Sequence, residues 1–266
     1  MDRDRAARAV EANLWAMHRD FARVPGADVH DDPDLLWFTV PSPNSWLNGA
    51  SRTSLSEDEA DSAIGRVVDA INSLGRNVLW HVGPSSAPSD MPSRLARAGF
   101  EGSSSAGMVL DIGSLRRPPG QPTIDVAPAR SDRDLADWLL AFDVGMGIDP
   151  PRGDEHPWRD AFAALALPSD TPTELFVGRV EGEPVASSLA FVGGGAVGLY
   201  GVTTSEAHRG RGYGTAMTLA GIDWGARAGQ DAAILHATEM GLPVYQRLGF
   251  TSVCEKSGWL KVALPA

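Results

Sequence analysis

The hydrophobic and polar positions of this chain alternate in short blocks that predict strands and helices in the order of a mixed α/β protein. Short runs rich in Val, Leu, Ile, Phe and Trp predict strands, and apolar residues that recur every three to four positions predict amphipathic helices. The predicted strands are 35–40, 77–82, 108–111, 123–127, 175–180, 185–192, 196–203 and 233–237. The predicted helices are 5–23, 56–74, 92–98, 132–144, 154–167, 213–228 and a short helix from Pro243 to Gly249.

Two helix boundaries carry specific signals. Ser56 followed by Glu59 is a capping-box pattern, which predicts the start of the helix that ends before Gly75. Pro243 suits the first turn of a helix and Gly249 its C-terminal stop, because proline lacks the amide that a first turn leaves unpaired.

The same order of elements occurs twice. Strand, helix, strand, short helix, Gly-Phe and strand follow one another in the first half and again in 196–262, so that Leu95 to Phe100 parallels Tyr245 to Phe250. Three prolines and a glycine within 115–122 interrupt helix and sheet alike. We therefore predict a first domain over 1–115, a linker over 116–122 and a second domain over 123–266.

Composition narrows the class of protein. The chain has 266 residues, 43% hydrophobic and 21% charged, with a net charge of −11. An acidic surface repels the phosphates of nucleic acids and of anionic membranes. One cysteine, Cys254, excludes an internal disulfide, and the six histidines show no metal-ligand spacing. The charged N-terminus precedes no apolar run, so we expect no signal peptide and a cytoplasmic protein.

One stretch combines a strand, a glycine-rich turn and a helix. The strand 196–203 leads into the turn from Ser205 to Gly212, and the helix 213–228 follows. Glycines allow a close approach of the backbone, and the first amides of a helix are unpaired and carry partial positive charge. The stretch therefore predicts a site for phosphate or diphosphate. It matches neither the Walker pattern nor G-x-G-x-x-G.

The turn resembles the Arg/Gln-x-x-Gly-x-Gly/Ala signature of the GNAT superfamily of acetyl-CoA-dependent N-acyltransferases, which Arg209, Gly212 and Gly214 satisfy. Downstream, the segment from Tyr245 to Phe250 resembles the Tyr-x-x-x-Gly-Phe segment of the same family. The resemblance implies two tandem GNAT-like domains, each with a mixed, mostly antiparallel sheet flanked by helices. The first half lacks the arginine-glycine turn and the tyrosine, so it resembles a degenerate copy.

The resemblance also implies roles for individual residues. Backbone groups of Val202, Thr203 and Thr204 would bind the pantetheine arm of acetyl-CoA and polarise its thioester, and Tyr245 would protonate the leaving thiolate. No metal is implied. The residues implied in coenzyme binding are Val202, Thr203, Thr204, Arg209, Gly210, Arg211, Gly212, Tyr213, Gly214 and Thr215.

The general base stays open. Family members often carry a glutamate near position 198, where this chain has a glycine. Ordered water is an alternative to any side chain. The residues that remain as candidates are Asp149, Glu155, His156, Glu206, His208, His236 and Glu239. Trp46 and Trp158 are candidates for the wall of an acceptor pocket.

The expected activity is the transfer of an acyl group from acetyl-CoA to a primary amine of a small molecule by direct attack in a ternary complex. The acidic surface would favour a cationic amine as much as it favours solubility. Two alternatives remain: a non-catalytic acetyl-CoA sensor, and an acyltransferase that uses another acyl group or a hydroxyl acceptor. The chain would act as a monomer or a homodimer.

Overall fold

The computed structural model describes residues 2–120, 122–151 and 156–263. Within these residues, eleven strands form one mixed, mostly antiparallel sheet in the order β1-β2-β3-β4-β11-β5-β10-β9-β8-β7-β6. The strands are β1 Asp28–Asp31, β2 Leu35–Thr39, β3 Asn48–Thr53, β4 Val78–Val82, β5 Glu101–Asp111, β6 Asp125–Pro128, β7 Thr173–Val180, β8 Glu183–Gly193, β9 Ala196–Thr204, β10 Ala232–Ala237 and β11 Thr251–Lys261. The helices are α1 Arg3–Asp20, α2 Glu57–Asn72, α3 Met91–Arg97, α4 Asp132–Met146, α5 Arg159–Ala166, α6 Tyr213–Arg227 and α7 Leu242–Leu248.

The α/β fold class and its tandem arrangement are confirmed, and most predicted elements are found within a few residues of their expected bounds. Two strands are missing from the prediction, β1 and β3, and β5 begins seven residues earlier than expected, at Glu101 instead of Met108. Both errors have the same cause, because β3 (NGASRT) and the start of β5 (EGSSSA) consist of small and polar residues. The start of the predicted helix 154–167 lies outside the described residues, and α5 begins at Arg159.

The capping box is found in altered form. The hydroxyl of Ser56 donates to the carboxylate of Glu59 at 2.6 Å, and the Ser56 side chain makes no hydrogen bond to a backbone amide of α2. The position of the helix start is nevertheless as predicted, since α2 begins at Glu57.

The last strand of each half pairs with a strand of the other half. β11, at the C-terminus, pairs with β4 of the first half, and β5 of the first half pairs with β10 of the second. β5 and β11 also pair with each other along most of their length. The sheet is therefore continuous, and each half is closed by a strand of the other.

Helix α1 connects the halves on one face of the sheet. Its residue Asn13 donates from Nδ2 to the carbonyls of Gly193 and Ala196 at 2.8 and 3.0 Å, and accepts a hydrogen bond from the Tyr200 hydroxyl at 2.7 Å. These three partners belong to the β8–β9 hairpin of the second half. A Cβ added at Gly193 would lie 3.0 Å from the Cβ of Ala16, so a small residue is needed where α1 approaches the hairpin.

The predicted linker is bonded to the second half. The amide of Arg116 donates to the Leu248 carbonyl at 2.9 Å, and the amide of Ile112 donates to the Asp231 carbonyl at 2.9 Å. Gln121 lies outside the described residues. The boundaries 1–115 and 123–266 stay a prediction about sequence organisation, since the exchanged strands tie the two parts into one sheet.

The sheet separates the hydrophobic core into two layers, one on each face. In the second half, α6 and α7 cover one face through Met217, Ile222 and Leu248, and α1 and α4 cover the other. No helix among the described residues combines the length and the hydropathy needed to cross a membrane.

Candidate active site

The two central strands of the second half run side by side for only a few residues. β9 and β10 are parallel and paired from Ala233 opposite Val197 to Leu235 opposite Leu199. Beyond these positions the described residues show no further pairing between them. The end of β9, from Tyr200 to Thr204, therefore keeps one backbone edge without a strand partner.

A bulge in β9 lies beside this separation. The register with β8 shifts between Ser187 and Leu189, and Gly201 adopts a φ of +54°. Glycine suits this conformation because a positive φ strains residues that carry a Cβ. Bulges bend a strand and end regular pairing. Val202 and Thr203, just after the bulge, line a cavity that opens at the gap.

The glycine-rich turn ends at the N-terminus of α6. Gly210 and Gly212 have φ values of +76° and +83°, and Gly212 is the N-cap of the helix without a side-chain cap. The first backbone bond of α6 runs from Ala216 to the Gly212 carbonyl. Within the described part of the chain, the amides from Gly210 to Thr215 have no partner. They form a cluster of free donors at the positive end of the helix dipole.

The two arginine side chains of the turn bind backbone carbonyls. Arg209 donates to the carbonyls of Thr204 and Gly145 at 3.2 and 3.3 Å, and Arg211 donates to the Ala207 carbonyl at 3.3 Å. The Arg209 amide also has a partner, the Glu206 carbonyl at 3.2 Å. In this conformation the arginines hold the shape of the turn, and the free amides begin one residue later than the sequence predicts.

A cavity of about 330 Å³ passes through the gap between β9 and β10. Its lining includes Tyr245 of α7 and Leu14, Met17 and His18 of α1. The volume is within the range of small-molecule sites. Its walls are mainly apolar, and the apolar or aromatic residues that line it are Leu14, Met17, Phe21, Trp46, Leu47, Leu79, Trp138, Phe142, Met146, Phe162, Leu165, Leu189, Leu199, Tyr200, Val202 and Tyr245.

Tyr245 is 9% exposed and lines the cavity together with Val202 and Thr203. Burial raises the pKa of Tyr245 to about 12, so the hydroxyl stays protonated at physiological pH. A protonated hydroxyl beside the unpaired edge of β9 is able to donate a proton there.

Of the residues considered as a general base, the structure brings His236 to the cavity wall. Glu206, Glu239 and Asp149 are exposed and do not line the cavity. His208 contacts the Ser205 hydroxyl through Nδ1 at 2.9 Å. Glu155 lies outside the described residues.

His156 has a structural partner. Its Nε2 lies 2.9 Å from Oδ2 of Asp143, which is 1% exposed, and its Nδ1 accepts from the Trp158 amide at 3.2 Å. Trp158 contacts Phe142 edge-on and does not line the cavity, whereas Trp46 does. Of the two tryptophans considered for the wall of an acceptor pocket, only Trp46 therefore lines this cavity.

Three basic residues of the cavity were not predicted from the sequence. His18 of α1, His81 of β4 and Lys256 of β11 line it together with His236. The rings of His18 and His81 stack with centroids 5.2 Å apart. The exchange of strands brings β4 and β11 next to each other and so assembles this cluster, which we call the basic cluster: His18, His81, His236 and Lys256. A sequence signal was available for His81 alone, the single polar residue of the strand VLWHV, because His18 lies on a helix and Lys256 in a mostly polar strand.

Burial governs the charge of the basic cluster. It lowers the pKa of His18, His81 and His236 well below the usual value, and the Lys256 ammonium lowers each further. Burial also lowers the pKa of Lys256 to about 7. The imidazoles are therefore neutral at pH 7, and Lys256 carries a partial positive charge.

This titration predicts a dependence of stability on pH. The folded-state pKa of Lys256 lies below the value of about 10.5 of an unfolded chain, so the unfolded state binds more protons between pH 7 and 10. Stability should therefore rise with pH, by up to about 2 kcal/mol between pH 7 and 8.5. Urea unfolding at both pH values measures this change in the free energy of unfolding. Lys256→Met should remove most of the rise, and Lys261→Met on the same strand should retain it. Equal slopes for the two variants would contradict the prediction.

The first half offers no comparable opening. The parallel strands β3 and β4 are followed by hydrogen bonds from Ala87 to the Thr53 carbonyl at 2.9 Å and from Leu55 to the Ala87 carbonyl at 3.1 Å. These bonds close the space that corresponds to the gap between β9 and β10. In the residues described, no group of His, Cys, Asp and Glu side chains has an arrangement that could hold a metal ion. Cys254 is half-buried, and burial raises the pKa of its thiol.

The parallel strand pair that separates, the glycine-rich turn and the N-terminus of α6 all lie within residues 134–250. These residues match the family described as "Acetyltransferase (GNAT) family". The match spans both sequence motifs that resemble the GNAT superfamily. No curated protein matches the chain.

Solved structures share the fold over the whole chain. A GCN5-related N-acetyltransferase from Kribbella flavida has a TM-score of 0.69 at 19% identity, with 96% of this chain and 95% of that chain covered. A putative GNAT acetyltransferase from Novosphingobium aromaticivorans has a TM-score of 0.58 at 15% identity, with 95% and 97% covered. A tandem GNAT protein from the clavulanic acid biosynthesis pathway has a TM-score of 0.53 at 12% identity, with 91% and 85% covered. The two-domain arrangement predicted from sequence is thus found in solved GNAT proteins.

Proposed function

We propose that this protein is an N-acetyltransferase that transfers the acetyl group of acetyl-CoA directly to a primary amine of a small molecule. The observation that carries the proposal is the arrangement of three groups: the free amides at the start of α6 adjoin Thr204 at the end of β9, and the unpaired edge of β9 lines the cavity together with Tyr245. The second half supplies these groups, and the first half supplies part of the acceptor cavity.

The fit to the coenzyme rests on unpaired backbone donors. The amides from Gly210 to Thr215 would bind the diphosphate, because they are free and lie at the positive end of a helix. The edge of β9 from Val202 to Thr204 would bind the pantetheine arm as an added strand does. Acetyl-CoA supplies the activated acetyl group as a thioester.

The proton movements are assigned to residues that line the cavity. Tyr245 would donate its hydroxyl proton to the departing sulfur, and its pKa of about 12 keeps that proton in place until then. His236 would accept a proton from the attacking amine, since its lowered pKa leaves the imidazole neutral at pH 7. The apolar walls would exclude bulk water from the reaction.

The test is the release of coenzyme A thiol from acetyl-CoA in the presence of a panel of primary amines and alcohols. We expect thiol release that depends on an amine, and a mass increase of one acetyl group in the product. Tight binding of acetyl-CoA without turnover on any amine would favour the sensor. Turnover on alcohols alone, or with a longer acyl-CoA alone, would favour the other acyltransferase.

A further inference from the structure

The charge inside the cavity differs from the charge of the surface. The chain as a whole carries a net charge of −11. The residues that line the cavity include one lysine and three histidines, and a single acid, Asp20, whose Oδ1 accepts from Arg23 at 2.6 Å and whose Oδ2 has no partner among the described residues. The titratable side chains of the lining are thus mainly basic, in contrast to the acidic chain as a whole.

Lys256 lacks an acidic partner. Among the described residues, no ion pair and no hydrogen bond involves its Nζ. The nearest acid of the adjoining small pocket is Glu11, and its Oε1 is already bonded to the Ser85 amide and hydroxyl at 3.1 and 2.8 Å. Burying an ammonium without a counter-ion is unfavourable, so this position is suited to an anion that arrives with the ligand.

The neighbouring imidazoles add unpaired hydrogen-bonding atoms. Nδ1 of His18, Nδ1 of His81 and Nε2 of His236 are buried and have no partner in the part of the chain that the structure describes. His18 is 1% exposed. Buried polar atoms are normally paired, and an unpaired set around a cavity points to a ligand that completes it.

We propose that the acceptor is an elongated apolar amine that carries a carboxylate at its far end, and that Lys256 pairs with this carboxylate. The proposal rests on the function proposed above, which sets the amine beside His236 and Tyr245. Lys256 and His236 belong to β11 and β10, and β5 lies between these strands. Two strand spacings set their backbones about 10 Å apart. An acceptor in which an apolar spacer joins amine and carboxylate would reach both side chains along the apolar walls of the cavity.

Turnover gives the first test. Acetylation of 8-aminooctanoate and octylamine is measured with the wild type, Lys256→Met and Lys256→Arg, and with Lys261→Met as the control. We expect the ratio of kcat/KM for the carboxylate over the alkylamine to fall at least about 30-fold in Lys256→Met. Lys256→Arg should recover most of the ratio, and Lys261→Met should equal the wild type. A wild-type ratio near one, or a ratio unchanged in Lys256→Met, would overturn the proposal.

A binding experiment separates this inference from the proposed activity. Calorimetry compares 4-phenylbutyrate, which has no amine, with the uncharged 4-phenylbutanamide on the same variants. We expect 4-phenylbutyrate to bind more tightly, and this preference to be lost in Lys256→Met and kept in Lys256→Arg. If no amine is acetylated but this pattern is found, the proposed function fails and the carboxylate site stands. If both ligands bind the wild type equally, the carboxylate site is refuted whatever the turnover.

Discussion

Replacing Tyr245 with phenylalanine should lower kcat about 100-fold and leave the affinity for acetyl-CoA within about threefold of the wild type. General acids contribute about 100-fold or more to proton-transfer steps. The substitution removes the hydroxyl that lines the cavity and keeps the ring that packs against Phe250 with centroids 5.9 Å apart. Steady-state kinetics and calorimetry on the same protein separate the two effects. A fall in affinity with unchanged kcat would make Tyr245 a coenzyme-binding residue instead.

The chain provides its own control for this substitution. Of its three tyrosines, Tyr213 is also buried, at 6% exposure, and stands at the start of α6. Tyr213→Phe removes the same atom from a residue outside the cavity and retains the backbone amide assigned to the diphosphate, so kcat should stay within about twofold. The third, Tyr200, bonds Asn13 and is unsuitable because its loss would disturb the contact of α1 with the sheet. An equal loss of kcat in Tyr213→Phe would contradict a specific role for the Tyr245 hydroxyl.

Replacing Gly214 with glutamate should weaken acetyl-CoA binding about 100-fold and leave the protein at least as stable as the wild type. A Cβ at Gly214 would have as its nearest neighbour the Thr204 hydroxyl at 3.8 Å, so a side chain is accommodated. A negative charge in the first turn of a helix is stabilising by about 0.3–1 kcal/mol. The same charge repels the diphosphate, by about 1–3 kcal/mol for each phosphate at about 5 Å. Stability and affinity should therefore change in opposite directions.

Gly214→Gln is the matched control for charge. Glutamine has nearly the shape of glutamate, so any steric effect on the diphosphate is common to both variants. Calorimetry with acetyl-CoA should give a lower affinity for Gly214→Glu than for Gly214→Gln, and urea unfolding should give comparable stabilities. Equal affinities in the two variants would show that no phosphate binds beside this helix turn.

The conformation of the motif that resembles the GNAT coenzyme site was readable from sequence because its parts are local. The turn from Arg209 to Gly212 and the start of α6 are adjacent in the chain, and their conformations follow from glycine and from the geometry of a helix end. The segment from Tyr245 to Gly249 is local in the same way. For such segments, the spacing of residues along the chain is enough to predict the local backbone geometry.

The basic cluster of the cavity was not readable, because it depends on the exchange of β5 and β11 between the halves. His81 and Lys256 are far apart in the chain and become neighbours when β11 pairs with β4. No periodicity in the sequence records which strand lies next to which. The prediction of two separate domains also placed Lys256 in the second half, away from β4. Strand β3 was missed for a related reason. It lies between β2 and β4, and its small and polar residues show no hydrophobic pattern typical of a strand.

The central claim is that the diphosphate of coenzyme A binds the amides at the start of α6 while its thiol end enters the gap between β9 and β10. A crystal structure of the protein with coenzyme A tests this claim directly. The account predicts diphosphate oxygens at about 2.7–3.2 Å from amides between Gly210 and Thr215, with the sulfur beside the Tyr245 hydroxyl. A nucleotide bound elsewhere, such as between β3 and α2 of the first half, would contradict it.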